Sequence, residues 1–173
     1  MNKVCRVAVM SLAIILLAAP AALAGSRAKE ALKEATAAAK KWKSDSFLVS
    51  ISSLTVKGDG SASSWLHTFY SPSTKKSLII TAKGKALDEL EVDRSMLTLP
   101  VGEGFLDSDK AMSEAKKHGL KGKDPSMGLN IMGAGPTATP CWSVNGGFEK
   151  GDVSVMLNGV SGAFIRKEVM PGF

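Results

Sequence analysis

His67 and Cys141 are the residues of this chain best suited to bond-making chemistry, a base and a thiol that could act as a nucleophilic pair. Such a pair needs a third group to orient the base and donors to hold an oxyanion, and the sequence marks neither. His118, the only other histidine, stands directly before Gly119 at the end of a helix pattern, where contact with the negative helix terminus accounts for it. The chain has no His-x-x-x-His and no Cys-x-x-Cys for zinc, and its acids lack calcium-loop spacing. Asp59 and Asp152 fall in turns, where short polar side chains serve the backbone. Methionine thioethers can hold copper beside histidine, but Met96, Met112, Met127, Met132, Met156 and Met170 are dispersed and read as core filling. Gly133-Ala134-Gly135 leads into Pro136 rather than a capped helix, and Gly102-Glu103-Gly104 lacks the lysine and hydroxyl of a phosphate loop. No catalytic residue, cofactor or metal is expected, and the chain reads as a binding protein rather than an enzyme.

The residues expected to make a partner contact are aromatic. Trp65, His67 and Phe69 alternate along one strand pattern and share a face, with Leu66, Thr68 and Tyr70 on the other. Trp142 opens a second strand of similar character. A partner protein or peptide could add to such a sheet at an edge or lie on its face. The competing reading is a carrier that holds a small apolar ligand between helix and sheet.

The elements that position these aromatics recur. A helix pattern at Ser26–Lys43, with Ala28, Ala31, Leu32, Ala35, Ala39 and Trp42 on one stripe, precedes a strand around Phe47–Ser52. Ser26 is the expected N-cap. The turn Lys57-Gly58-Asp59-Gly60 follows, then the strand at Trp65–Tyr70, the turn Ser71-Pro72-Ser73-Thr74 and the strand Leu78–Ala82 before Gly84. A second series runs through a helix at Ser108–His118, capped by Ser108 or Asp107, and through strands at Leu129–Met132, Trp142–Val144 and Val153–Leu157. Ala163–Ile165 continues it after a bend. Tryptophan and closing glycine lie 19 residues apart in the first series and 20 in the second, which points to one unit used twice.

Lys3 and Arg6, the apolar run Val7–Leu17, Pro20 and the small-x-small Ala22-Leu23-Ala24 form a secretory signal peptide over 1–24, so the protein is expected in the periplasm. The apolar run is shorter than the ~20 residues of a membrane span, and no lipoprotein-type cysteine stands at the cleavage point. Cleavage would leave 149 of the 173 residues, enough to bury a core. The net charge of +6 would fall to +4 with the loss of Lys3 and Arg6. The basic residues are scattered or placed at helix ends, with no arginine cluster among aromatics, so nucleic acid is not an expected partner. Loss of Cys5 leaves Cys141 alone, without an internal disulfide. Cys141 then sits buried and inert, carries a mixed disulfide, or links two chains as a dimer.

The second series resembles the PepSY-like modules of exported bacterial proteins, through the helix Asp109–Lys117, Trp142-Ser143-Val144, Val153–Leu157 and the turn Asn158-Gly159-Val160-Ser161-Gly162. The first matches through Ala35, Ala39, Trp42, Trp65 and Leu78–Gly84. Asn158 stands where the family often has aspartate, so an acid-dependent role does not carry over. The resemblance implies a cystatin-like helix on a curled sheet and a periplasmic binding or regulatory role, in some members inhibition of peptidases. The expected architecture is therefore α+β, two helix-plus-antiparallel-meander modules packed together. The first would occupy 25–87 and the second 107–173, joined by a connector at 88–106, with an envelope protein or peptide as partner.

Overall fold

Residues Trp65–Ser71 alternate buried and half-buried without a break, the signature of a strand with one face against a core. In the computed structural model, which describes residues 25–93 and 95–171, this segment is the second of eight strands. The chain runs α1 (Leu32–Trp42), β1 (Phe47–Ser53), β2 (Trp65–Ser71), β3 (Lys76–Lys83) and β4 (Ala86–Val92). It continues α2 (Ser108–Lys117), β5 (Ser126–Met132), a 3-10 turn at Gly135–Thr137, β6 (Thr139–Asn145), β7 (Val153–Asn158) and β8 (Phe164–Val169). The signal peptide read over 1–24, Cys5 included, lies outside the described residues. Among the described residues, no helix is long and apolar enough to cross a membrane.

All eight strands belong to one antiparallel sheet, ordered β4-β3-β2-β1-β5-β6-β7-β8. This overturns the expected pair of helix-plus-meander modules packed together. β1 and β5 would each be the bare edge of a separate sheet; instead they pair from Ser50↔Asn130 to Ser53↔Met127. Each strand thereby satisfies the other's backbone N–H and C=O groups, and two exposed edges are removed. The sheet also extends further than its sequence pattern suggests: β4 forms one end where a connector was expected, and β8 lengthens the expected Ala163–Ile165 continuation at the other. β8 is exposed along its whole length and β4 nearly so, so neither carries the period-two alternation that reveals a half-buried strand. β4 begins two residues before the expected connector and is tied to β3 by Lys76 with Glu91 (2.7 Å) and Lys83 with Asp88 (3.1 Å).

Both helices cover the same face of the sheet. α1 lays Ala35 and Ala39 on Phe69, Leu78 and Ile80, and these small side chains let the helix approach the strands closely. α2 lays Ala111, Met112 and Ala115 on Trp142, Val144, Val155 and Leu157 within a larger core that also takes in Ile51, Trp65 and Leu129. Ser26 does not cap α1. Its N–H and C=O are bonded to Ala62 (2.8 and 2.9 Å), which makes the approach to the helix a β-bridge and delays the helix to Leu32. Asp107 is the N-cap of α2, its Oδ1 accepting from Ser108 N (2.8 Å) and also from Lys29 N (3.1 Å) just ahead of α1. One carboxylate thus serves the positive ends of both helices.

Candidate functional site

All four aromatic candidates lie on the helix-covered face. Trp65 is 1% exposed, His67 0%, Phe69 1% and Trp142 0%. The two indoles meet edge-to-face with ring centres 6.4 Å apart. Each donates its N–H to a backbone carbonyl, Trp65 to Ser26 (2.9 Å) and Trp142 to Leu106 (3.0 Å). They clamp the sheet to the segments entering the two helices, which is a structural role. The surface that β2 offers to solvent is the alternate set, Leu66, Thr68 and Tyr70, each half-buried.

His67 is packed among Ile51, Ile80 and the chain entering α1, and its Nε2 lies 2.9 Å from the Ala28 carbonyl, placing the donated proton there. Its Nδ1 has no partner. Burial is the main influence on this imidazole and holds its pKa below the ordinary 6.5, against a smaller opposing effect of the Ala28 carbonyl. The unfolded chain takes up a proton near 6.5 while the folded chain resists it. Stability is therefore full above that pH and falls as the pH drops toward the lower folded value. Thermal unfolding between about pH 7.5 and 5 is expected to show this loss, at most ~1.4 kcal/mol per pH unit. His67→Gln, which can still donate to Ala28, should remove that part of the pH dependence. An unchanged slope in the variant would refute the assignment.

Cys141 is 2% exposed, and burial raises its thiol pKa. His67 lies on β2 and Cys141 on β6, with β1 and β5 between them, and their side chains face opposite sides of the sheet. The arrangement is not that of a nucleophile and its base. A thiol reagent is expected to modify native Cys141 at least ~100-fold more slowly than the urea-unfolded chain, because only the exposed thiolate reacts. Equal rates in the two states would contradict that expectation. Among the described residues, no group of three or more His, Cys, Asp or Glu side chains could hold a metal ion. His118 stacks on Phe164 at 4.5 Å at the end of α2.

Two surfaces remain for binding. The first is the face of the sheet that the helices leave open. Its centre is small and polar, with Ser50, Ser52 and Thr68 opposite Gly128, Asn130 and Ser143 across the β2-β1-β5-β6 pairing. Leu66, Ile79 and Leu90 flank it on one side, and Met156 on the other. At the Met156 side, Ser143, Met156, Arg166 and Glu168 border a shallow depression of about 170 Å³ with Phe148, whose side chain is 66% exposed. The set of β2 that faces this surface is therefore Leu66, Thr68 and Tyr70, one position along from the Trp65, His67 and Phe69 expected to make the contact.

The second surface is a half-open groove of about 610 Å³ between α1 and the segment leading to α2. Leu32, Leu48 and Phe69 form its floor; Pro100, Gly102 and Glu103 form the far wall. Lys33, Thr36 and Lys40 line the near wall as one stripe along α1, and Lys29 joins them from the turn ahead of the helix. The groove marks where two cores fail to merge: Leu48 touches both, beside a bulge in β1 that shifts its register against β2. Phe69 is the one aromatic candidate that reaches it.

No family model matches the chain, and no curated protein matches it. A solved structure that resembles it is that of a candidate lipoprotein from Clostridium difficile 630, at 13% identity and a TM-score of 0.52, covering 79% of this chain and 91% of that one. At that identity the likeness is one of fold: a chain of this kind belongs to the proteins that mount helices on one face of a broad antiparallel sheet.

Proposed function

We propose that this protein is an exported, non-enzymatic binding protein whose open sheet face receives a segment of a partner protein or peptide in the cell envelope. The observation that carries the reading is the one-sided cover of an eight-stranded sheet: helices occupy one face, and the other keeps a polar centre between apolar flanks. Small serine, threonine and glycine side chains let a partner's backbone approach closely, while Leu66 and Met156 offer apolar anchors at either side. The edge strands β4 and β8 add unpaired backbone groups to which an extended peptide could bond. Export is supported by the leader pattern over 1–24 and by the description of the similarly folded protein as a candidate lipoprotein.

A crosslinking capture from the native envelope, performed in parallel with the 25–173 chain and with its Ser52→Arg/Ser143→Arg variant, tests this reading. Both positions are half-buried on the open face, and two long cations there should block a close approach. The reading expects one protein enriched by the wild-type chain and lost with the variant. Equal capture by both chains, or capture by neither, would overturn it.

A further inference from the structure

We infer that the groove beside α1 is a binding site for a long-chain carboxylate, a single-chain anionic amphiphile. The site lies on the helix-covered side, away from the open face, so it is independent of the partner surface described above. Its volume of about 610 Å³ falls in the range of small-ligand sites. The floor of Leu32 and Leu48, with the almost fully buried Phe69 beneath them, is apolar, which suits an alkyl chain. The charges on the rim select the head group. Lys29, Lys33 and Lys40 face a single carboxylate, that of Glu103, leaving the rim with an excess of two positive charges.

The three lysines are not equivalent. Lys40 is engaged with the carbonyls of Ser44 and Ser46 at the end of α1, and the Lys29 ammonium sits 4.4 Å from the centre of the Phe105 ring. Lys33 is exposed, and among the described residues it has neither an ion pair nor a side-chain hydrogen bond. The carboxylate therefore sits at Lys33, with Lys29 on the same rim in the turn ahead of α1, and the alkyl chain runs over Leu48 toward Phe69. A neutral alcohol of the same length would gain the floor without the rim. An acidic peptide would gain the rim while leaving most of the floor unfilled.

The probe is dansyl-undecanoate, followed by its fluorescence and displaced by unlabelled acids below their micelle-forming concentrations. Saturable binding is expected, with displacement strengthening about fifteenfold for each two methylenes from octanoate to dodecanoate, since each buried methylene is worth roughly fourfold. Dodecanol should compete at least about tenfold more weakly than dodecanoate, and Lys33→Glu should weaken the probe by a similar factor. Lys33 is solvent-exposed, so its variant should keep the wild-type circular dichroism and melting curve. Thr36→Trp, which fills the groove from the helix wall, should abolish binding. The Ser52→Arg/Ser143→Arg variant should bind the probe as the wild type does, which separates failure of this site from failure of the open face. Absence of saturable binding, equal competition by dodecanol, or an unchanged affinity in both Lys33→Glu and Thr36→Trp would overturn the assignment.

Discussion

Replacing Trp142 with alanine is expected to lower the stability of the folded chain by about 3–5 kcal/mol, measured as the change in urea midpoint at constant slope. The indole is 0% exposed in the larger core, between α2 and the strands, where little can collapse into the space left behind. Three contributions are lost together: apolar burial, the edge-to-face contact with Trp65, and the hydrogen bond to the Leu106 carbonyl. Trp142→Phe separates them. It keeps most of the burial but leaves the Leu106 carbonyl without this donor, at a cost of about 1–3 kcal/mol. Trp65→Ala should be as severe, since Trp65 holds Ser26 as Trp142 holds Leu106. The double variant should fall short of the sum by about 0.5–1.5 kcal/mol, the usual worth of an aromatic pair. A Trp142→Ala chain that melts within about 1 kcal/mol of wild type would show that the two tryptophans are not the clamp described.

Gly146→Ala is expected to be nearly as damaging, through overlap rather than a void. Gly146 follows β6, and the Lys121–Gly122 backbone crosses directly over it, held there by the bond from Val153 N to the Lys121 carbonyl (2.8 Å). A methyl group on Gly146 would overlap the Lys121 carbonyl and lie 2.9 Å from the Val153 oxygen. Backbone stands on both sides, so no side chain can swing aside. The expected cost is about 3 kcal/mol, the upper end for overpacking, or a fall in Tm of roughly 6–12 °C for a chain of this size. Gly84→Ala is the control. Gly84 has φ +60 in the β3–β4 turn but open space around it, so only conformational strain of about 1 kcal/mol applies. Equal melting of the two variants would show that the crossing at Gly146 is looser than its geometry implies.

Local features were legible in the sequence wherever one residue's neighbours along the chain decide its environment. Of the expected stripe, Ala35 and Ala39 are buried within α1, Leu32 and Trp42 are half-buried, and Ala28 and Ala31 are buried in the turn ahead of the helix; Asp107 caps α2. β2 and β7 occur where their alternation places them. Other features had a weaker local signal or none. β8 was legible only at its start, as the continuation at Ala163–Ile165, and β4 is an edge strand in which only Leu87 and Val92 are half-buried, so its apolar residues are not forced into alternation and acids fill much of it. Ser26 looks like a helix cap by type, yet its backbone is claimed by Ala62, 36 residues away. The groove was illegible for a similar reason. Its wall is a helix stripe, but its floor and far side come from Leu48, Phe69 and Pro100, which meet only in the folded chain.

The sequence by itself determined the strands that have a buried face and the two helices with their small-residue stripes. Periodicity and spacing are properties of a few consecutive residues, so the chain states them directly. The tertiary structure alone decided that β1 joins β5 to make one sheet, and that Trp65, His67 and Phe69 point under the helices while Leu66, Thr68 and Tyr70 face outward. Both outcomes depend on residues distant in the chain: the β1 and β5 edges pair across some 75 positions, and a strand's two faces acquire inside and outside only once a helix settles on one of them, as the segment 26–39 does on β2.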